Sequence, residues 1–436
     1  MSFLKLYVGL LFGLIFSCPA YAYLDPGSGN ALVYLLISLG SASLFFIKSM
    51  AYKLIRLVTG KSVEVKTEKQ SGGDLVIFSE GSSYWKTFKP IIEELIKRKI
   101  YFKYVTFDKH DPALLLDNEY LDSSYIRKTN VGFAKLSNIR ADVMLATTPN
   151  IGNSDYPLKK SPKVKQLVHI WHSCCDTGFY KIGALDSYDV ALTVGPWVEE
   201  KIREVEQKRN LDRKEVVSVG LPYLDELSKD AGELQARGNN NKVSENKTVL
   251  VAPSWGEKNF LKYYGTEFII DLASLGYRVI IRPHPQSFTA EPELIKHLKD
   301  YAREDQRITF DKNPNGLVSM AASDLLISDK SSIRFDYSFI FKKPVLTLDI
   351  PSKELSTYEA VYLSKIWEEE EAKKIGLVLT LEDKNKILDS VKEALDFESS
   401  DIALEREKAI TNFNSSAVAI VNWIEKTIKK EESYGV

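Results

Sequence analysis

Four short segments of this chain carry residues suited to proton transfer or anion binding, and each follows a run of apolar, strand-forming residues. The first runs from Trp171 and His172 through Cys174, Cys175 and Asp176 to Lys181. A neutral imidazole can take a proton from an alcohol near neutral pH, and a lysine nine residues on can meet a phosphate. The second, Ile281-Arg282-Pro283-His284-Pro285, holds a histidine between two prolines beside an arginine whose planar fork suits phosphate. The third, Ser328-Asp329-Lys330-Ser331-Ser332-Ile333-Arg334-Phe335-Asp336, joins a strand to a helix. It places Ser331 and Ser332 at a helix start, where free N–H groups and the dipole favour an anion. It lacks the glycines of a Walker loop. The fourth, Gly220-Leu221-Pro222-Tyr223-Leu224-Asp225, is a turn in which Asp225 either caps the next helix or meets a ligand. Each has a plain structural alternative: a loop histidine, a turn, a serine cap with solvated charges.

Weaker candidates accompany these. Glu80-Gly81-Ser82-Ser83 follows the first apolar run and can line a cleft or form a capped turn, and Pro253-Ser254-Trp255 offers Ser254 or a backbone N–H to a ligand. Cys174 and Cys175 read as small packing residues, because no Cys/His spacing supports a nucleophile or a zinc site. His110 and His297 read as surface residues, and the runs Glu368–Glu371 and Lys429–Glu432 as solvated faces.

The elements that position these residues alternate between strand and helix. Strands are expected at 75–78, 101–107, 142–147, 166–171, 190–194 and 216–219, with helices over 85–99 and 196–209. The polar stretch 238–247 breaks the alternation and reads as a linker. Strands resume at 248–252, 277–281, 307–310, 324–327 and 344–348, with helices over 262–275, 291–304 and 332–341, and a terminal amphipathic helix spans 405–430. Such alternation implies α/β architecture with parallel sheets covered on both faces. The expected organisation is a Rossmann-like domain over 74–237, a second over 248–436 including the terminal helix, and a cleft between them where ligands meet the carboxyl ends of strands.

Composition sets the class. The 436 residues are 44% hydrophobic and 27% charged, with a net charge of -1, which gives no cationic field for nucleic acid. Three cysteines make no disulfide framework. Residues 1–22 have the charged, apolar and small-residue order of a signal peptide or first membrane segment, and the uncharged stretch 31–47 is expected to cross a membrane. Lys48, Lys53, Arg56, Lys61, Lys66 and Lys69 follow it, which favours a cytoplasmic body at the inner face of the cytoplasmic membrane.

Taken together and in this order, the four motifs resemble those of the CDP-glycerol glycerophosphotransferase family of teichoic-acid-type polymer synthesis. That family shows a Trp-His-Gly loop ending in Lys, a Gly-x-Pro-Arg-x-Asp turn, an Arg-x-His-Pro strand end, and Ser-Asp-x-Ser-Ser before Phe-Asp. Lys343-Pro344 also matches a Lys-Pro that follows the last motif. Ser173 stands where Gly is usual, Cys174 and Cys175 replace Thr-Pro, and Tyr223 replaces Arg. The resemblance implies a GT-B-type fold and attack by a polymer or lipid-linked hydroxyl on CDP-glycerol or a similar CDP-alditol, releasing CMP, with no cofactor and no metal. It implies His172 and His284 as catalytic residues, and Lys181, Arg282, Ser254, Asp329, Ser331, Ser332 and Asp225 as substrate-binding residues. A GT-B enzyme using a nucleotide sugar, and a membrane-tethered scaffold without activity, are the competing readings.

Overall fold

Among the described residues, thirteen strands form two separate sheets. The first half contributes β1 (Leu75–Ser79), β2 (Phe102–Thr106), β3 (Leu121–Tyr125), β4 (Ala141–Ala146), β5 (Val164–Ile170), β6 (Val190–Thr193) and β7 (Glu215–Ser218). The second contributes β8 (Thr248–Val251), β9 (Arg278–Ile281), β10 (Ile308–Phe310), β11 (Leu325–Ser328), β12 (Val345–Leu348) and β13 (Gly376–Leu379). The sheet orders are β3-β2-β1-β4-β5-β6-β7 and β10-β9-β8-β11-β12-β13, and every pairing is parallel. The computed structural model describes residues 75–434 apart from 155, 238–245, 314 and 352–355. The expected signal-like segment, the 31–47 span and most of the polar linker lie outside the described residues. Among those described, no helix is long and apolar enough to cross a membrane.

The central strands are apolar because helices cover both faces of each sheet. All residues of β1, β6, β8, β11 and β12 are buried. The helices used below are α1 (Trp85–Lys97), α2 (Pro196–Arg209), α3 (Pro222–Arg237), α4 (Ile333–Phe341), α5 (Trp367–Ala372) and α6 (Ser416–Tyr434). The α1 helix buries Phe88, Ile91, Ile92 and Leu95, at helical spacing, against β1 and β2 residues such as Ile77 and Tyr104.

The chain end departs from expectation. The stretch 405–430 is not one helix. It breaks between a helix over Ser399–Ala409 and α6, and Asn412 (φ 50°) and Asn414 (φ 65°) take the left-handed conformation that a short polar side chain tolerates. Beyond the break, the described apolar residues of α6 pack on the first half. Ala417, Ile420, Val421, Ile424 and Ile428 complete the core of the first sheet beside Ile92, Leu95 and Val143. The crossing segment passes so close to Gly220 (φ +100°) that a Cβ there would lie 2.2 Å from the Thr411 carbonyl oxygen. The expected helix over 262–275 is also split, at Gly265 (φ 83°), into Leu261–Tyr264 and Phe268–Ser274.

The acidic run 368–371 is a further correction. Glu368 and Glu371 are buried, and Glu368 accepts the Asp176 N–H at 2.6 Å. In return Asp176 accepts the Trp367 N–H at 2.8 Å, while Trp367 stacks on Trp197 of α2 with centroids 3.9 Å apart. The start of α5 is thereby joined to the His172 loop and to α2.

Candidate active site

Each sheet reverses its strand order once, between β1 and β4 and between β8 and β11. Ligands of such sheets meet the carboxyl ends of strands at that reversal. The loops carrying Glu80, Thr147, Ser254 and Asp329 leave the strands bordering these reversals, and the loops carrying His172 and His284 leave the adjacent strands β5 and β9.

In the first half, His172 packs edge-on against Tyr84, with ring centroids 5.1 Å apart and planes at 86°. Its Nδ1 is enclosed without a hydrogen-bond partner. Burial holds the imidazole below its ordinary value of 6.5, and the opposing influence is the negative charge of Glu80. The ring is therefore neutral at neutral pH and free to accept a proton. Glu80 is itself gripped: the Tyr156 hydroxyl donates to it at 2.5 Å and the Lys128 ammonium lies 3.4 Å away. Behind the loop, His169 is fully buried, touches the Tyr180 hydroxyl at 3.1 Å and is pushed down to about 3 by desolvation. Lys181 is exposed, forms a backbone bridge to Tyr358, and makes no ion pair among the described residues.

In the second half, Asp329 is buried and accepts both the Ser254 N–H (2.7 Å) and its hydroxyl (2.6 Å), a contact that spans the β8–β11 reversal. Ser331 and Ser332 stand partly exposed at the start of α4, and Ser332 makes no side-chain cap. Beneath them Arg334 is almost fully buried and donates through Nε to the Ser331 carbonyl at 3.0 Å. Burial lowers that guanidinium to about 10, so it remains a cation under the helix start. His284 is exposed. Its Nδ1 accepts the Gln286 N–H at 3.1 Å, and its ring stacks on the exposed Trp255 with centroids 6.2 Å apart. Among the described residues no group of three His, Cys, Asp or Glu side chains is placed to hold a metal ion.

Two residues read from the sequence as ligand contacts are engaged by the protein. Arg282 pairs with Asp311 at 2.5 Å and donates to the Asn313 carbonyl at 2.8 Å. Asp225 accepts the N–H groups of Asn414 (2.7 Å) and Ser416 (2.8 Å), so it caps α6 rather than its own helix. Tyr223, in the position of the family's arginine, donates to Asp336 of α4 at 3.2 Å. Asp336 is buried, its other oxygen has no partner, and desolvation pushes it up to about 7. The substitution thus alters a contact between the two halves. The sequence carries little sign of the surroundings of His172: Glu80 directly follows an apolar run, while Tyr84 and Tyr156 sit in segments with no motif.

Comparison with known proteins agrees with this arrangement. No curated protein sequence matches the chain. The Wall Teichoic Acid Polymerase TagF is similar in structure, with 16% identity over 88% of this chain and 98% of that one and a TM-score of 0.52; a TagF variant soaked with CDPG gives 0.53. The UDP-GlcNAc 2-epimerase from Methanocaldococcus jannaschii is 13% identical over 80% of this chain and 99% of that one, with a TM-score of 0.54. A putative UDP-N-acetylglucosamine 2-epimerase from Listeria monocytogenes is 13% identical over 83% and 98%, with a TM-score of 0.57. At these identities the likeness establishes a GT-B-like α/β fold. Residues 184–415, just over half the chain and including the loops of Asp225, Ser254, His284 and Ser331, match one sequence family: the chain belongs to the CDP-glycerol:poly(glycerophosphate) glycerophosphotransferases.

Proposed function

We propose that the protein transfers glycerol phosphate, or a related alditol phosphate, from a CDP-activated donor to a hydroxyl of a cell-surface polymer or lipid-linked acceptor, releasing CMP. The observation that carries this reading beyond family membership is the contrast between its two histidine loops. One presents a neutral imidazole without a hydrogen-bond partner. The other borders a serine-flanked helix start over a buried guanidinium.

In this reading the carboxyl ends of the two sheets face each other across a cleft. The donor diphosphate lies at the start of α4, where backbone N–H groups, Ser331 and Ser332 receive it and Arg334 adds positive potential from below. His284 contributes its Nε2 edge, because Nδ1 is occupied by Gln286. Ser254 and Asp329 shape the loop between them. Arg282 holds Asp311 and the Asn313 carbonyl and does not itself grip phosphate. The acceptor oxygen attacks the β-phosphorus while His172 takes its proton. The bond from that phosphorus to the CMP oxygen breaks, and the negative charge it leaves is met at the α4 start. Bringing both reactants into one cleft supplies much of the acceleration.

The segments outside the described residues complete the proposal. Residues 31–47 hold the protein on the membrane, and the basic residues after them keep the body on the cytoplasmic side, where an activated nucleotide donor is available. Purified protein incubated with CDP-glycerol, CDP-ribitol and UDP-sugars, with a glycerol-phosphate acceptor, tests the reaction. CMP release from a CDP-alditol is the expected result, and UDP release alone would replace this reading by sugar transfer.

A further inference from the structure

A solvent-open pocket of about 540 Å³ lies beside the loop that runs on from His172. Asn150, Asn153, Tyr156 and Lys181 from the first half and Ser356 and Thr357 from the second form its walls. Two backbone links hold these walls together: the Ile182 N–H donates to the Thr357 carbonyl at 3.1 Å, and Lys181 bridges Tyr358. The lining is mostly amide, hydroxyl and phenol around one cation, with Ile182 as its one aliphatic side chain. Asn150 is held at φ 69° with its Oδ1 buried and unpartnered, and Lys159, outside the lining, donates to the Asn153 carbonyl at 2.5 Å. A nucleobase slot would instead present flat apolar or aromatic walls. A cation among hydroxyls and amides fits a phosphodiester whose carbons carry hydroxyl groups. One end of the pocket is Tyr156, whose hydroxyl donates to Glu80 in the loop whose Tyr84 packs on His172.

We propose that this pocket is the acceptor subsite, taking a glycerol-phosphate-type phosphodiester with Lys181 on its phosphate and Asn153 and Thr357 on its hydroxyls, so that the terminal hydroxyl reaches His172. The proposal rests on the transfer reading above and adds where the acceptor lies and which group anchors it. The pocket's two walls come from the two halves, so acceptor binding also favours the arrangement in which they are joined.

The test uses the full-length protein in detergent, with CDP-glycerol as donor and glycerophosphoglycerol as acceptor. Lys181→Ala should raise the acceptor KM at least tenfold and leave the CDP-glycerol Kd within twofold, while Lys181→Arg should retain most acceptor affinity. Thr357→Val, from the opposite wall, should raise the acceptor KM about three- to fivefold, and inorganic phosphate should compete with acceptor and not with donor. An unchanged acceptor KM in folded Lys181→Ala would overturn the assignment. Weakened CDP-glycerol binding in the same variant would move Lys181 to the donor site and equally overturn it. If the wild type releases no CMP from any CDP-alditol, the transfer reading fails instead. Calorimetry with glycerophosphoglycerol alone, on wild type and Lys181→Ala, then still decides whether the pocket binds a phosphodiester.

Discussion

The two histidine loops are built in opposite ways. His172 packs edge-on against Tyr84, its Nδ1 is buried without a partner, and burial keeps it neutral. His284 is exposed, with one ring nitrogen fixed by a backbone N–H and one face on an exposed tryptophan. Burial of an unpartnered imidazole is costly in folding and useful in proton transfer. A ring fixed by a backbone N–H at the surface is aimed at a ligand, and partial desolvation lowers its proton affinity as well. The two loops follow strands on opposite sides of the reversals in their sheets, β5 and β9, and each histidine takes its chemistry from what surrounds it.

The largest expected effect separates the two. His172→Ala should lower CMP release by two to four powers of ten, about 3–5 kcal/mol of barrier, with CDP-glycerol affinity and melting temperature nearly unchanged. His284→Ala should instead raise the donor Kd about tenfold, roughly 1.4 kcal/mol. Calorimetry beside single-turnover kinetics reads both, and matching profiles in the two variants would erase the distinction.

A smaller effect sharpens the account of His172. The Glu80 charge favours the imidazolium, so Glu80→Gln should let the pKa of the base fall further. The acid limb of the rate profile should then move to lower pH, and the plateau rate should drop several-fold. Tyr84, Tyr156 and Lys128 also face this pair, but none of them is altered in that variant. A plateau loss with an unmoved limb would make Glu80 a loop-packing residue.

The next effect concerns stability rather than rate, at the contact between halves. Folded Asp336 binds its proton more tightly than the unfolded carboxyl does, about 7 against an ordinary 3.8. Between those values the native state holds the extra proton, so this group's contribution to stability is present at low pH and is lost as pH rises through 7. Asp336→Asn should therefore melt higher than wild type at pH 8 and show less difference at pH 5. Tyr223→Phe should cost about 1–3 kcal/mol by leaving the carboxyl without a donor. Parallel melting curves for Asp336→Asn and wild type across pH 5–8 would remove Asp336 as a titrating group.

Much of this frame was legible in the sequence because buried parallel strands are continuous apolar runs and the chemically suited residues follow them directly. The strand β3, Leu-Asp-Ser-Ser-Tyr, escaped notice because an edge strand with exposed positions has no apolar run. The strand β13 begins at Gly376, just after an acidic segment that resembled a solvated face. The His172 and Ser331 segments could be read as loops directly after strands. The engagement of Arg282 and Asp225 could not, because their partners lie 29 and about 190 residues along the chain. Local spacing carries no information about such partners, and a free and a committed arginine look the same in one dimension.

The crossing of α6 onto the first sheet also sets an order of events during synthesis. The strands of that sheet and α1 to α3 are complete by Arg237, yet the apolar surface that α6 covers waits until residues 417–428 have been made. At ordinary elongation rates that is a delay of roughly 10–40 s, longer than small domains need to fold. The second half can assemble first, although it is made second. The nascent first half must meanwhile carry an exposed apolar strip, which makes it the natural target of chaperones and of aggregation when synthesis stalls.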